Sequence, residues 1–355
     1  MISSPNEESK ERKPNEISEA GPANQLQQAG FSHVTVLLEE AVDLLNVRPG
    51  LTYVDATAGA GGHLQEIWNR TKSNIESGGA FLSADQNQPP QLIAIDRDNR
   101  SLSKLRDRFG SSISYANANF EEIETVVKEL GHRTITGGIL ADLGVSSMQI
   151  DDPDRGFSFM RDGPLDMRMD TDQSLTAEYL INNSSESQLA EIIFKYGEER
   201  YSRRIASAIV RARPLHTTLE LAEVVSRCVK RSSSKHGSGR DSLHPATRTF
   251  QAVRIAVNNE LENLEKFLHS AISVLSPGAR LVVITFHSLE DRLVKQIFRE
   301  SATNCICPPR QPLCTCQHKA ELLIITRKPV VAGEKEVLAN IRSRSAKLRA
   351  GEKIS

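Results

Sequence analysis

Three acidic residues in the N-terminal half of the chain each close a short apolar run. They are Asp55 in TYVDAT, Asp96 in QLIAIDRD and Asp142 in GGILADLGVSS. The first is followed at once by a glycine-rich turn, GAGGH, carrying Gly59, Gly61, Gly62 and His63. Such a turn lets backbone approach a ligand closely and points helix N–H groups at negative charge. A carboxylate closing a second strand can accept both hydroxyls of a ribose, and one closing a fourth strand suits an amine acceptor. Each acid alone could equally be a helix cap or a turn former. Three together beside a glycine turn point to one nucleoside site.

The elements that must position these residues alternate. TYVDAT, QLIAIDRD, SISYANANF and GGILADLGVSS read as strands, with helical patterns between them. The alternation stops for about a hundred residues. It resumes with a helix near 246–275, the strand ARLVVITFH, the helix SLEDRLVKQIFRE and a last strand, ELLIITRKPV. This order predicts an α/β, Rossmann-like fold with a mostly parallel sheet, interrupted by an inserted, mainly helical domain. The expected divisions are a disordered polar arm at 1–30, a Rossmann-like domain at 31–147 and 246–335, a helical substrate-recognition insert at 148–245, and a basic C-terminal tail at 336–355. Residues 71–90, rich in Ser, Gly, Asn, Gln and Pro, read as a flexible loop. Ligands of such sheets sit at the carboxyl ends of the strands, near the switch in strand order. The spacing of a dinucleotide-binding turn is not met, and no Walker-type phosphate loop is present. The reading that remains is S-adenosylmethionine, whose methionine carboxylate can rest on a helix N-terminus without any pyrophosphate.

The 355 residues carry a net charge of −1, with 39% hydrophobic and 25% charged residues. No overall basic field announces nucleic acid, and no apolar run approaches a membrane span. A cytoplasmic protein with no membrane partner is expected. Local basic stretches stand out instead. KYGEERYSRRIASAIVRARP sets Lys195, Arg200, Arg203, Arg204, Arg211 and Arg213 on a helical stretch, KRSSSKHGSGRDS (230–242) reads as a basic loop, and IRSRSAKLRAGEK closes the chain. Charge runs are usually solvated faces, but three on a near-neutral chain fit phosphate contacts to RNA. FSFMRDGPLDMRMD mixes Arg161 and Asp166 with aromatics and methionines, as a substrate-reading loop or as an acid–arginine lattice that fixes itself. His287 and Ser288 end the fifth strand and could touch substrate, with Ser288 and Asp291 forming a helix cap as the competing reading. Cys305, Cys307, Cys314 and Cys316 cluster near His318, but their C-x-C pairs depart from the C-x2-C zinc knuckle, and no metal is expected. Cys228 reads as a small buried residue.

Several motifs run in order along the chain: HVTVLLEEAVDLL, DATAGAGGH, AIDRD, LADLGVSSMQIDDPDRGFSFMRDGPLDMRMD, HPATRTFQAVRIAVNNEL, VITFHSLEDRLVK and IITRKP. Together they resemble the bacterial 16S rRNA cytosine-N4 methyltransferase family (RsmH, MraW) over roughly residues 31–350. The resemblance implies a class I S-adenosylmethionine-dependent methyltransferase fold. It also implies N4-methylation of a cytidine in the decoding centre of the small ribosomal subunit, with 16S rRNA as partner and no DNA. The family's donor-site positions fall on Gly61, Gly62, His63, Asp96, Phe120, Asp142 and Gln149, with Asp142 as the catalytic candidate. Arg161, Asp166, Arg203, Arg204, His287 and Ser288 are the substrate candidates. A homodimer is left open. The competing reading is a non-catalytic assembly factor of the small subunit that keeps the fold as an RNA platform. The long N-terminal arm and the 71–90 loop depart from the family's pattern.

Overall fold

The computed structural model describes residues 34–76, 91–145, 147–233, 244–308, 311 and 313–355. The polar arm, residues 77–90 of the predicted loop and residues 234–242 of the basic loop lie outside the described residues. In chain order the elements begin with α1 (Leu38–Leu45), β1 (Thr52–Asp55), α2 (Gly62–Glu76), β2 (Gln91–Asp96), α3 (Asn99–Phe109), β3 (Ser114–Asn117), α4 (Ile123–Glu129) and β4 (Gly138–Asp142). Helices follow: α5 (Ser147–Asp151), α6 (Ala177–Asn183), α7 (Glu186–Gly197), α8 (Ser202–Ala212), α9 (Thr218–Ser233), α10 (Thr247–Asn258) and α11 (Glu260–Val274). The chain ends with β5 (Arg280–Thr285), α12 (Ser288–Ser301), β6 (Leu322–Ile324), α13 (Glu334–Ala339) and β7 (Lys347–Lys353).

The strands form one seven-stranded sheet in the order β3-β2-β1-β4-β5-β7-β6. The five from β3 to β5 pair in parallel, and β7 lies antiparallel between β5 and β6. The order reverses between β1 and β4, so a crevice opens at their carboxyl ends. Two-residue periodicity shares the side chains between two faces. Val54, Ile139, Ala141, Leu281 and Val283 enter one core with α4, α11 and α12. Tyr53, Leu140, Val282 and Ile284 enter the other with α1, α2 and α3. The central strands are therefore apolar on both sides and read as continuous hydrophobic runs.

A third core belongs to the inserted helices and gathers Leu180, Leu189, Ile193, Ile205, Ile209 and Val225. Helix α10 adds Phe250, Val253 and Val257 to it. The packing boundary of the insert thus falls at Asn258 rather than at 245. The helix predicted over 246–275 is broken there, because Asn259 adopts a left-handed backbone, φ 49°. Asn258 explains the break. Its side chain donates to the carbonyls of Met167 and Arg254, both at 2.8 Å, and accepts from Met169 N–H at 2.7 Å.

The basic C-terminal tail expected at 336–355 is corrected by the structure, because its last part is strand β7. Leu348 and Ala350 are fully buried in the sheet. The cations of β7 that made the segment look like a solvated tail are paired. Arg349 Nε donates to Asp291 Oδ1 at 2.7 Å, and Lys353 Nζ donates to Glu321 Oε2 at 2.7 Å. A short strand whose charges find partners only through long-range folding carries no local signal that separates it from a polar tail.

Candidate active site

The turn after β1 is shaped by left-handed backbone at Gly59 (φ 47°) and Gly61 (φ 78°). Its residues are tied across the switch point. Gly59 N–H donates to Asp96 Oδ2 at 2.7 Å, and Asp98 N–H donates to Asp96 Oδ1 at 2.8 Å. Gly61 and Gly62 are required by space as well. A Cβ at Gly61 would lie 2.4 Å from Leu105 Cδ2, and one at Gly62 would lie 1.8 Å from Thr35 Oγ1. Protein packing accounts for these two glycines before any ligand is considered. His63 is buried, and its Nε2 lies 3.2 Å from the Val36 carbonyl, so that nitrogen carries the hydrogen. It fastens the segment before α1 onto α2.

The carboxyls of Asp55, Asp96 and Asp142 converge at the ends of adjacent strands. Burial, tempered by the hydrogen bond from Thr57 and reinforced by the charge of Asp96, pushes Asp55 up to about 7. Burial also raises Asp96, against the N–H groups of Asp98 and Gly59. Asp142 is held well above the usual carboxylate range by burial first, then by the charges of Asp55 and Glu290. Its Oδ1 is buried and, among the described residues, has no hydrogen-bond partner. A buried carboxyl oxygen without a donor is costly, and such groups are uncommon outside functional sites. Thr57, missed in the sequence, is the joint of the crevice: its Oγ1 accepts from Asp142 N–H at 2.6 Å, while its own N–H donates to Asp55 Oδ1 at 3.1 Å. The only available signal was a hydroxyl two residues after the first strand-end acid.

Phe120 follows β3 and is half-buried. It meets Phe267 edge-on, with ring centroids 5.2 Å apart, and Arg97 lies 5.9 Å from its ring centre. Gln149 lies on α5, half-buried, seven residues beyond Asp142. The pattern of a turn, a ribose-type acid, an aromatic ring and a partnerless acid surrounds the strand ends.

The substrate candidates are distributed differently. His287, not Ser288, caps α12: its Nδ1 accepts from Glu290 N–H at 3.4 Å, and Glu290 accepts in return from His287 N–H at 3.2 Å. Against its burial, His287 and Arg254 hold Glu290 below its ordinary range. Ser288 instead donates to Glu198, which also takes Arg292 at 2.8 Å and so ties the insert to α12. Asp166 is engaged within its own loop, accepting from Arg168 Nε at 2.9 Å and Nη2 at 2.7 Å. The acid–arginine lattice is therefore real, and Arg155 extends it through the carbonyls of Arg168 and Met169. Arg161 is exposed and only its carbonyl is used, by Thr218. On α8, Arg203 is exposed and Arg204 lies 5.8 Å from the ring centre of Tyr201. Arg213, counted in the same basic stretch, is committed to the carbonyls of Ile181 and Ser184 at 2.8 and 2.6 Å.

Comparison with known proteins places this geometry in a family. The model of the MraW methylase family matches residues 30–354. The chain belongs to that family. A relative named ribosomal RNA small subunit methyltransferase H from Brevibacillus brevis is 46% identical over 330 residues, covering 91% of this chain and 98% of its own. One of the same name from Carboxydothermus hydrogenoformans is 46% identical over 331 residues, covering 92% and 99%. A solved rRNA methylase from Streptococcus thermophilus aligns at 9% identity with a TM-score of 0.36, covering 92% of this chain and 100% of that one.

Proposed function

We propose that this chain transfers a methyl group from S-adenosylmethionine to the exocyclic N4 of a cytidine in the decoding centre of 16S rRNA, presented by the small ribosomal subunit. The naming of the relatives supports the RNA substrate, and the partnerless Oδ1 of Asp142 is the observation that carries the chemistry. When bound, the donor supplies an electrophilic methyl on a sulfonium cation. The residues of the crevice fit it. An ionised carboxylate offers about four lone-pair sites, and each oxygen of Asp96 has one backbone N–H, so each retains capacity for a ribose hydroxyl. The N-terminal turn of α2, from Gly62, presents N–H groups suited to a carboxylate. Phe120 offers ring surface to a base. Gln149 brings both a donor and an acceptor.

The N4 lone pair of cytosine is conjugated into the ring and is a poor nucleophile. Holding it in line contributes several kcal/mol. Asp142 is the acceptor that could take an N4–H, favour a pyramidal nitrogen and stabilise developing positive charge. The hydrogen bond from its N–H to Thr57 fixes the backbone from which the carboxyl projects. Amino-methyltransferases of DNA place Pro-Pro and an aromatic residue after this acid. Here Leu143, Gly144 and Val145 follow, so the base is gripped by other means. The inserted helices are the RNA-reading part, where exposed Phe194 and Tyr201 lie among Lys195, Arg200, Arg203 and Arg204.

The test is incubation with labelled donor and small subunits from a methylation-deficient strain, followed by mass spectrometry of the digested rRNA. N4-methylcytidine at one decoding-centre position is expected, with free cytidine far less reactive. Methyl on C5 or on a ribose would rule out the amine mechanism.

A further inference from the structure

Between α12 and β6 the chain makes an excursion over residues 302–321 that joins none of the three cores. None of its described residues is fully buried. Its base is closed by Glu321 N–H to the Ser301 carbonyl at 2.8 Å and by Ala320 N–H to Asn304 Oδ1 at 3.1 Å. Beyond that base no apolar packing holds it. What gathers at its centre is sulfur. The four Sγ atoms of Cys305, Cys307, Cys314 and Cys316 all lie within 4.8 Å of one another. Cys316 stands 3.6 Å from Cys314 and 3.9 Å from Cys305.

Those separations discriminate between the fates of four thiols. A disulfide needs sulfurs at about 2.05 Å, and two disulfides would pair the sulfurs rather than draw all four together. A tetrahedral zinc ion with Zn–S of about 2.3 Å sets its sulfurs roughly 3.8 Å apart. The surrounding backbone fits thiolates as well. Ile306 N–H points at Cys316 Sγ and Thr315 N–H at Cys307 Sγ, each at 3.5 Å. The middle residue of each C-x-C pair thus donates to the last cysteine of the other, an arrangement with approximate two-fold character. This crossing explains how a pair spaced by one residue can do the work of the familiar C-x2-C knuckle: beside the Cys307 N–H that faces Cys305 within the first pair, each pair receives an N–H from the other. His318 is not a competitor, since its Nε2 lies 2.9 Å from the Glu300 carbonyl.

We propose that Cys305, Cys307, Cys314 and Cys316 form a tetrathiolate site that takes one zinc ion and organises the 302–321 excursion around it. Four thiols lose their protons to solvent, four sulfur lone pairs bind the metal, and no electron is transferred. The product carries a net charge of −2, and inward N–H groups, those of Ile306 and Thr315 among them, help to stabilise it. Zinc fits better than magnesium or calcium because the donors are soft sulfurs in a closed set of four. The site is structural. It leaves no open position for a substrate, and it lies apart from Asp96 and Asp142 in the chain's packing. A zinc ion here departs from the expectation, drawn from the C-x-C spacing, that no metal is bound.

The test uses the full chain, purified under reducing conditions without added chelator. Elemental mass spectrometry should find one zinc per chain. Stripping it and adding cobalt should give the intense visible bands of tetrahedral cobalt thiolate. Cys305→Ser and Cys316→Ser should each lower zinc occupancy at least tenfold, while Cys228→Ser retains full occupancy. Unfolding curves of the serine variants should keep the wild-type midpoint of the main transition, which separates metal loss from failure to fold. Zinc-free protein in which all five thiols react freely would overturn the proposal. So would disulfides among the four in freshly prepared protein, or iron in place of zinc.

Discussion

The strand ends and the inserted helices handle charge in opposite ways. At the strand ends, carboxyls are buried with too few partners: Asp142 Oδ1 has none, and Asp55 is driven up to about 7. In the insert, most buried polar side chains are engaged, with Arg155 Nε and Thr249 Oγ1 as exceptions. Arg168 holds Asp166, Arg213 holds two carbonyls, and Asn258 satisfies three backbone groups. The remaining cations, such as Arg203, point outward. Desolvating a charge without a partner is expensive, so the fold tolerates it only where something else repays the cost. The same residue types therefore mean different things in the two regions. Under the proposed function, an acid at a parallel strand's carboxyl end belongs to the binding site, whereas Asp166 beside Arg168 in its loop is scaffolding.

The largest expected effect tests the edge of that comparison. Ending the chain after Ala339 removes β7 and with it buried Leu348 and Ala350, leaving Asp291 without Arg349. Removing one partner of a buried pair alone costs about 3–5 kcal/mol, and a buried leucine adds roughly 2–5 kcal/mol. Together these approach the whole stability of a typical domain. The truncated chain should show no cooperative thermal transition. A truncation that leaves the transition unmoved would restore the solvated tail.

Next in size is Asp142→Asn. Shape and one carbonyl acceptor survive, but the negative charge facing a developing cation is lost. Turnover should fall by roughly 10²–10³, the effect of removing one preorganised electrostatic partner, with the fold intact. Asp142→Ala should fall further. Single-turnover rates within tenfold of wild type would make Asp142 scaffolding, like Asp166.

Asp55 turns the comparison into a pH dependence. Its ordinary value is 3.8 and its folded value about 7. Between those limits the folded chain keeps the proton and the unfolded chain releases it. Stability from this group is thus fully present below about pH 4, declines as pH rises through the window, and is gone above about 7. Asp96 and Asp142 are shifted in the same direction. Asp55→Asn keeps an acceptor for Thr57 N–H and should flatten the slope, gaining on the order of 4 kcal/mol over wild type at pH 8 relative to pH 4. Denaturant unfolding at both pH values reads this directly, and parallel slopes would disprove it. Asp96→Ala should weaken S-adenosylmethionine binding by about 1.5–3 kcal/mol, the worth of hydrogen bonds to a charged group, as measured by calorimetric titration. Unchanged affinity would remove Asp96 from the site.

The sheet half was largely legible because its signals are local. Strands β1, β2 and β4 are short apolar runs ending in an acid, and the GAGGH turn announces its own backbone. What stayed hidden depends on residues far apart in sequence. The break at Asn258 becomes visible only when Met167 and Met169 arrive to receive its amide. The role of Thr57 appears only when Asp142 is beside it. Strand β7 reads as polar until Asp291 and Glu321 neutralise it. The cap of α12 was expected at Ser288, whereas an imidazole nitrogen of His287 fills that position one residue earlier. Cysteine spacing likewise did not show that the two C-x-C pairs cross in the fold, with Ile306 N–H at Cys316 and Thr315 N–H at Cys307.

The smallest expected effect asks whether the outward cations of α8 serve the RNA. Arg203 is exposed, and no ion pair or hydrogen bond of its side chain is found among the described residues. Neutralising an exposed cation should barely move stability, within about 0.5 kcal/mol. If Arg203 meets a phosphate, Arg203→Gln should weaken binding to the small subunit and reduce the slope of log affinity against log salt by about one, since one fewer counterion is released. Affinity for the methyl donor should stay unchanged, because that site is built from the strand ends. Arg213→Gln supplies the opposite case. Its guanidinium holds the carbonyls of Ile181 and Ser184, so its loss should lower the unfolding midpoint and leave the salt slope of the folded protein intact. A variant pair in which Arg213 changes the salt slope and Arg203 does not would reverse the assignment of scaffold and contact within the insert.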